Sequence, residues 1–119
     1  MARLRRFLRR LTESDEERLA EEIRAWASAV AEAVPIAHVP LRRRVRVAGV
    51  VKRITVRPVE GFESLEALIT DGTGELAVVW MGRRQIPGLT LGTRVIVEGV
   101  VGETRAGRRM VNPSFEFAA

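Results

Sequence analysis

The 119-residue sequence predicts a mainly β fold, with five strands closing into a small barrel behind one amphipathic N-terminal helix. Three observations carry that expectation. Two alternating apolar runs, 65–70 and 75–81, flank Asp71-Gly72-Thr73-Gly74, the pattern of a β-hairpin. A basic run over 42–57 also alternates and changes phase after Gly49, as a strand with a bulge or sharp bend does. Before both, residues 12–34 repeat apolar side chains at intervals of three and four, the spacing of a helix.

Taken in order, residues 1–11 read as a basic amphipathic arm, loosely ordered in the free protein. Leu4, Phe7, Leu8 and Leu11 recur there among Arg3, Arg5, Arg6, Arg9 and Arg10. Residues 12–34 read as an acidic helix. Ser14 and Glu17 match a capping box, Leu19, Ile23, Trp26, Val30 and Ala33 form the stripe, and Pro35 closes the pattern. So narrow a stripe needs a cover. The barrel is expected to supply it, with Trp26 as a packing anchor; a homodimer along the Leu19-Ile23-Trp26-Val30 seam is the alternative.

Residues 35–41 carry two prolines and read as an extended linker, and His38 within it is given no role. The barrel domain is assigned to 42–119. In it, 42–57 is strand one and 58–64 a loop. The hairpin supplies strands two and three, with Leu65, Ala67, Ile69, Leu76, Val78 and Trp80 turned inward; a bulge would instead turn Trp80 outward, toward a ligand. Residues 83–92 form a turn, 93–101 strand four, 102–107 a hairpin loop and 108–117 the last strand, in which Pro113 marks an irregular position.

Charge is distributed in blocks. Residues 1–11 hold five arginines and no acid, 12–34 hold seven acids against Arg18 and Arg24, and the rest holds thirteen bases against eight acids. Lys52 is the only lysine among the basic residues, and arginine is the better bidentate partner for phosphate. No cysteine is present, which rules out disulfides and thiolate metal sites and fits a reducing, cytoplasmic setting. No apolar run approaches a membrane span, and the basic start lacks the apolar core of a secretory signal.

The strings VRVAGVV at 45–51, LITDGTG at 68–74, GTRVIVEG at 92–99 and MVNPSFE at 110–116 resemble the OB-fold nucleic-acid-binding family. The last string resembles the closing strand of the wedge domain of RecG-type branch-migration helicases, with Phe115 where that family usually has Tyr. Over 41–117 the sequence is also similar to small stand-alone bacterial OB-fold proteins that carry an acidic helix ahead of the barrel. The resemblance implies a five-stranded Greek-key barrel. It also implies a non-catalytic module for single-stranded or branched nucleic acid, DNA before RNA, with little sequence preference. No Walker A motif accompanies the barrel, so any such handling is passive or serves a partner.

OB barrels use the outer face of strands two and three with the loops joining strands one to two and four to five. Here that is Glu66, Leu68, Thr70, Ala77, Val79 and Met81, with loops 58–64 and 102–107. The face is apolar, so affinity is expected from cations beside it: Arg44, Arg46 and Lys52 on strand one, Arg83 and Arg84 after strand three, and Arg105, Arg108 and Arg109 around the last loop. Phe62 is the exposed aromatic, whereas Phe115 and Phe117 are expected to pack on the core or the helix. Catalytic, metal-binding and cofactor-binding residues are all assigned as none: Asp71 is explained by its turn, and Thr73 and Ser114 have no base beside them. The rival reading is a protein-interaction or membrane-associated adaptor, in which residues 1–11 and the helix do the work on a barrel scaffold.

Overall fold

The structure is a computed structural model that describes the backbone of residues 2–118 and the side chains of 14–118 apart from residue 59. Valine-rich alternating segments form β1 (Arg44–Val59), β2 (Phe62–Thr70), β3 (Glu75–Met81), β4 (Arg94–Thr104), β5 (Gly107–Val111) and β6 (Ser114–Phe117), after α1 (Ala2–Ala29) and a 3-10 turn, Ile36–His38. Strands β1-β2-β3-β5-β4 form a ring closed by β1 pairing with β4. The β3–β5 pairing is parallel and the others are antiparallel. The expected inward set of the hairpin, from Leu65 to Trp80, lies in the core with Val47, Val51, Val95, Val97, Val101 and Met110. Each buried valine, leucine, isoleucine or methionine of this set contributes about 1.5–3 kcal/mol by leaving water.

One strand serves both sides of the ring because it bends. Residues 44–50 pair with β4 and residues 50–59 with β2. A Cβ on Gly49 would lie 3.0 Å from Ile69 Cδ1, so a larger residue there would push against that side chain where β1 crosses it. The register shift follows between Val51 and Arg53, which makes Lys52 the bulged residue.

Strand ends differ from expectation. The 58–64 loop shrinks to Glu60-Gly61, both at positive φ (45° and 83°), a tight hairpin turn that leaves Phe62 as the first residue of β2. The 102–107 loop likewise shrinks to Arg105-Ala106. The expected last strand is two strands. Asn112 adopts φ 50°, its N–H donates to the Val79 carbonyl (2.6 Å), and its Oδ1 accepts the Met81 N–H (2.8 Å). Pro113, with no N–H to give, accepts the Trp80 indole N–H at its carbonyl (3.3 Å). Trp80 is therefore core, 5% exposed, with Phe115 edge-on at 5.4 Å. The Met-Val-Asn-Pro string is a closure device that locks β5 and β6 onto β3 and β4.

The 35–41 segment is not simply extended. Ile36 is buried, and its N–H donates to Asp71 Oδ2 at 2.8 Å. The other Asp71 oxygen accepts the Thr73 N–H (2.9 Å) and hydroxyl (2.6 Å). Asp71 thus shapes its own turn, as its sequence context indicates, and also ties the linker to the barrel.

The helix runs Ala2–Ala29 and not 12–34. Ser14 and Glu17 lie inside it; no Pro or Gly interrupts residues 2–29, so nothing obliges the helix to start at the capping box. It stops before Pro35 because the chain turns through Glu32 (φ 64°) so that the Val34 N–H can reach the Arg46 carbonyl (2.8 Å). Residues 1–11, read as an arm, have helical backbone from Ala2, and their side chains lie outside the described residues. α1 docks through its C-terminal half. Arg24 donates to the Gly72 carbonyl (3.1 Å), Arg94 sits 5.0 Å over the half-buried Trp26 ring, and Ala27 is buried. Gly72, at φ 86°, passes so close to Ala20 and Arg24 that a Cβ would lie 3.2 Å from the Ala20 carbonyl oxygen. Leu19, in contrast, is 57% exposed.

Candidate nucleic-acid interface

The outer wall of the ring is built in rows, because directly paired residues on neighbouring strands share a face. One row crosses four strands: Arg53 on β1, Leu68 on β2, Ala77 on β3 and Arg109 on β5. An apolar floor two side chains wide thus lies between two arginine positions. The next row holds Thr55, Glu66, Val79 and Val111, and the one beyond it Arg57, Ser64 and Met81.

An open groove of about 260 Å³ lies on this wall, lined by Arg53, Leu68, Glu75, Ala77, Gly107 and Arg108. Among the described residues none of α1 lines it. Small side chains at Ala77, Ala106 and Gly107 let a flat ligand approach the backbone. Glu75 is partly neutralised by Lys52, 3.6 Å away. Arg108 Nη1 donates to the Ile36 carbonyl at 2.5 Å, which fixes it beside the β4–β5 turn. Among the described residues Arg53, Arg105 and Arg109 make no ion pair. Chemically, the groove offers an apolar bed for a base or sugar and guanidinium groups for phosphate or for stacking.

Residues 45–118 match the tRNA anti-codon family model, described as an OB-fold nucleic acid binding domain. The chain belongs to this family. Of solved structures, one similar in fold is a chain of a replication protein A heterotrimer bound to ssDNA, with a TM-score of 0.52 at 16% identity. The match covers 73% of this chain and 66% of that one. No curated protein matches the sequence.

In OB-fold terms the wall just described is the face of strands two and three, and Glu60-Gly61 and Arg105-Ala106 are the turns at its two ends. The candidate residues divide over the barrel. Phe62 (65% exposed) and Met81 (43%) stand at the β1–β2 end, with Arg83 and Arg84 just beyond β3. Arg84 there pairs with Glu63 at 3.0 Å. Arg105, Arg108 and Arg109 gather at the β4–β5 end, and Lys52 flanks the groove at the bulge. Arg44 and Arg46 do not join them. They lie on the part of β1 that pairs with β4, and Arg46 is held by Glu116 (2.7 Å) and Glu98 (4.0 Å).

Sequence reasoning missed Arg53 and Arg57. Alternation with Ile54 and Val56 makes their outward direction legible in the sequence; their neighbours are not. The two-residue turn at Glu60-Gly61 was the available signal, since it alone fixes Arg57 against Ser64 and Arg53 against Leu68. Among the described residues no group of three His, Cys, Asp or Glu side chains converges to hold a metal ion, and no helix is long and apolar enough to cross a membrane.

Proposed function

We propose that this OB-fold chain is a non-catalytic module that binds single-stranded or branched nucleic acid with little sequence preference. The observation that carries the reading is an open groove lined by Arg53, Leu68, Ala77 and Arg108, with Arg109 paired to Ala77 at its edge. Bases lie on Leu68 and Ala77, while Arg53, Arg105, Arg108 and Arg109 take phosphates, with Phe62, Met81, Arg83 and Arg84 extending the track past the β1–β2 turn. Lys52 contributes at the bulge. Arg44 and Arg46 stand apart from the track, since the part of β1 that carries them pairs with β4. A floor without aromatic side chains gives weak stacking, so affinity comes chiefly from phosphate contacts. DNA is favoured over RNA, and the action is passive, in keeping with the wedge resemblance.

Fluorescence anisotropy of a labelled oligo(dT) at rising salt tests this. The expected result is micromolar or tighter binding at low salt that weakens with a log–log slope of about −0.7 per phosphate contact. No binding at low salt, or binding indifferent to salt, overturns the reading. An RNA strand of the same length that binds as tightly as DNA overturns the preference for DNA alone.

A further inference from the structure

We propose that α1 pairs head to tail with α1 of a second copy of this chain. The helix spans Ala2–Ala29, about 42 Å at 1.5 Å per residue, and among the described residues its side-chain contacts with the barrel lie in its C-terminal half, at Gly72 and Arg94. Ahead of that contact, Leu19 is 57% exposed, and an open groove of about 530 Å³ runs between the helix and the β1 bulge, lined by Glu16, Leu19, Ile23, Lys52 and Thr70. Among the described residues the apolar seam is therefore uncovered at Leu19, while its C-terminal part is the part that docks.

The charge pattern says what covers it. Residues 1–11 carry five arginines and no acid, while residues 13–22 carry Glu13, Asp15, Glu16, Glu17, Glu21 and Glu22 against Arg18. The two ends of one straight helix cannot meet each other, but two antiparallel copies bring each end against its complement. A two-fold axis between residues 13 and 14 matches Leu4 with Ile23 and Leu8 with Leu19. The same axis matches Arg5, Arg6 and Arg10 with Glu22, Glu21 and Glu17. Arg9 falls against Arg18, whose guanidinium already lies 3.8 Å from Asp15, and Arg3 against Arg24, which is held on the Gly72 carbonyl. Lys52 faces the groove with its charge placed on Glu75. Nucleic acid or an anionic lipid surface would have to lie beside the acidic segment, whereas a second copy turns that segment into the attraction. The pairing sets the two Arg24 positions about 30 Å apart along the helix axis, so a dimer carries one barrel at each end of the helix pair.

Sedimentation equilibrium of the full chain tests this. The expected mass is twice 13.3 kDa, falling to 13.3 kDa in Leu19→Glu, a change at an exposed position. Two triple variants, Arg5→Glu/Arg6→Glu/Arg10→Glu and Glu17→Arg/Glu21→Arg/Glu22→Arg, are each expected to be monomeric alone and to form a heterodimer when mixed. A 13.3 kDa wild type, a dimer that survives Leu19→Glu, or a mixture that stays monomeric overturns the proposal. Co-sedimentation of a monomeric wild type with anionic vesicles, lost in the arginine triple variant, overturns it in favour of lipid.

Discussion

Two outer faces of the same barrel carry arginine, and they use it differently. On the β1–β4–β6 side, Arg44 and Arg46 converge on Glu98 and Glu116, with Arg46 only 28% exposed in its side chain. On the β1–β2–β3–β5 side, Arg53 and Arg109 bracket an apolar floor and, among the described residues, have no carboxylate partner. Long β1 runs through both faces, so strand composition alone does not tell them apart. Surface charge and charge available to a ligand are separate quantities: an arginine already held by two carboxylates gains little from a phosphate and must give up its pairs to take one.

The strongest way to break the comparison is charge reversal. Arg53→Glu with Arg109→Glu is expected to weaken oligo(dT) binding about 100-fold, near 2.7 kcal/mol, in anisotropy titrations at low salt. Asp71→Ala acts on the frame under both faces. It leaves the buried Ile36 N–H unpaired and is expected to cost about 2 kcal/mol in urea denaturation, with affinity of the folded fraction kept. Arg53→Ala sharpens the contrast more gently, with a loss of about fivefold in affinity and a salt slope shallower by about 0.7. The smallest effect is expected from Arg44→Ala with Arg46→Ala. Binding stays within about twofold, and stability changes by about 1 kcal/mol or less, as partly exposed ion pairs give. If this pair matters as much as Arg53 and Arg109, the two faces are not distinct.

Much of the barrel was legible because its signals are local. The hairpin around Asp71 announces itself by alternation and by a turn whose carboxylate bonds its own backbone, and the inward set from Leu65 to Trp80 follows from period two. The MVNPSFE string identified the closing region, yet not that Asn112 and Pro113 would split it, since that depends on hydrogen bonds to Val79, Met81 and Trp80 far away in sequence. The second duty of Asp71, holding Ile36, was hidden for the same reason. The candidate site suffered most. Gly49 was recognised as a bend, but the register shifts two residues later, and that offset decides which side of Lys52 joins the groove. Arg109 meets Ala77 only through the parallel β3–β5 pairing, a contact no local pattern encodes. Arg44 and Arg46 were placed with the face because they point outward, while the bend in β1 carries them to another wall. For the helix, Ser14 and Glu17 offered a start, but a start signal is not a stop for the residues before it.

The most direct test of the difference between the faces is a backbone amide chemical-shift map of the 15N-labelled chain as oligo(dT) is added. Shifts concentrated at Arg53, Leu68, Ala77, Gly107 and Arg109, with Arg44, Arg46, Glu98 and Glu116 unmoved, are the expected result. Shifts centred on Glu98 and Glu116, with the Leu68–Ala77 floor silent, would contradict it.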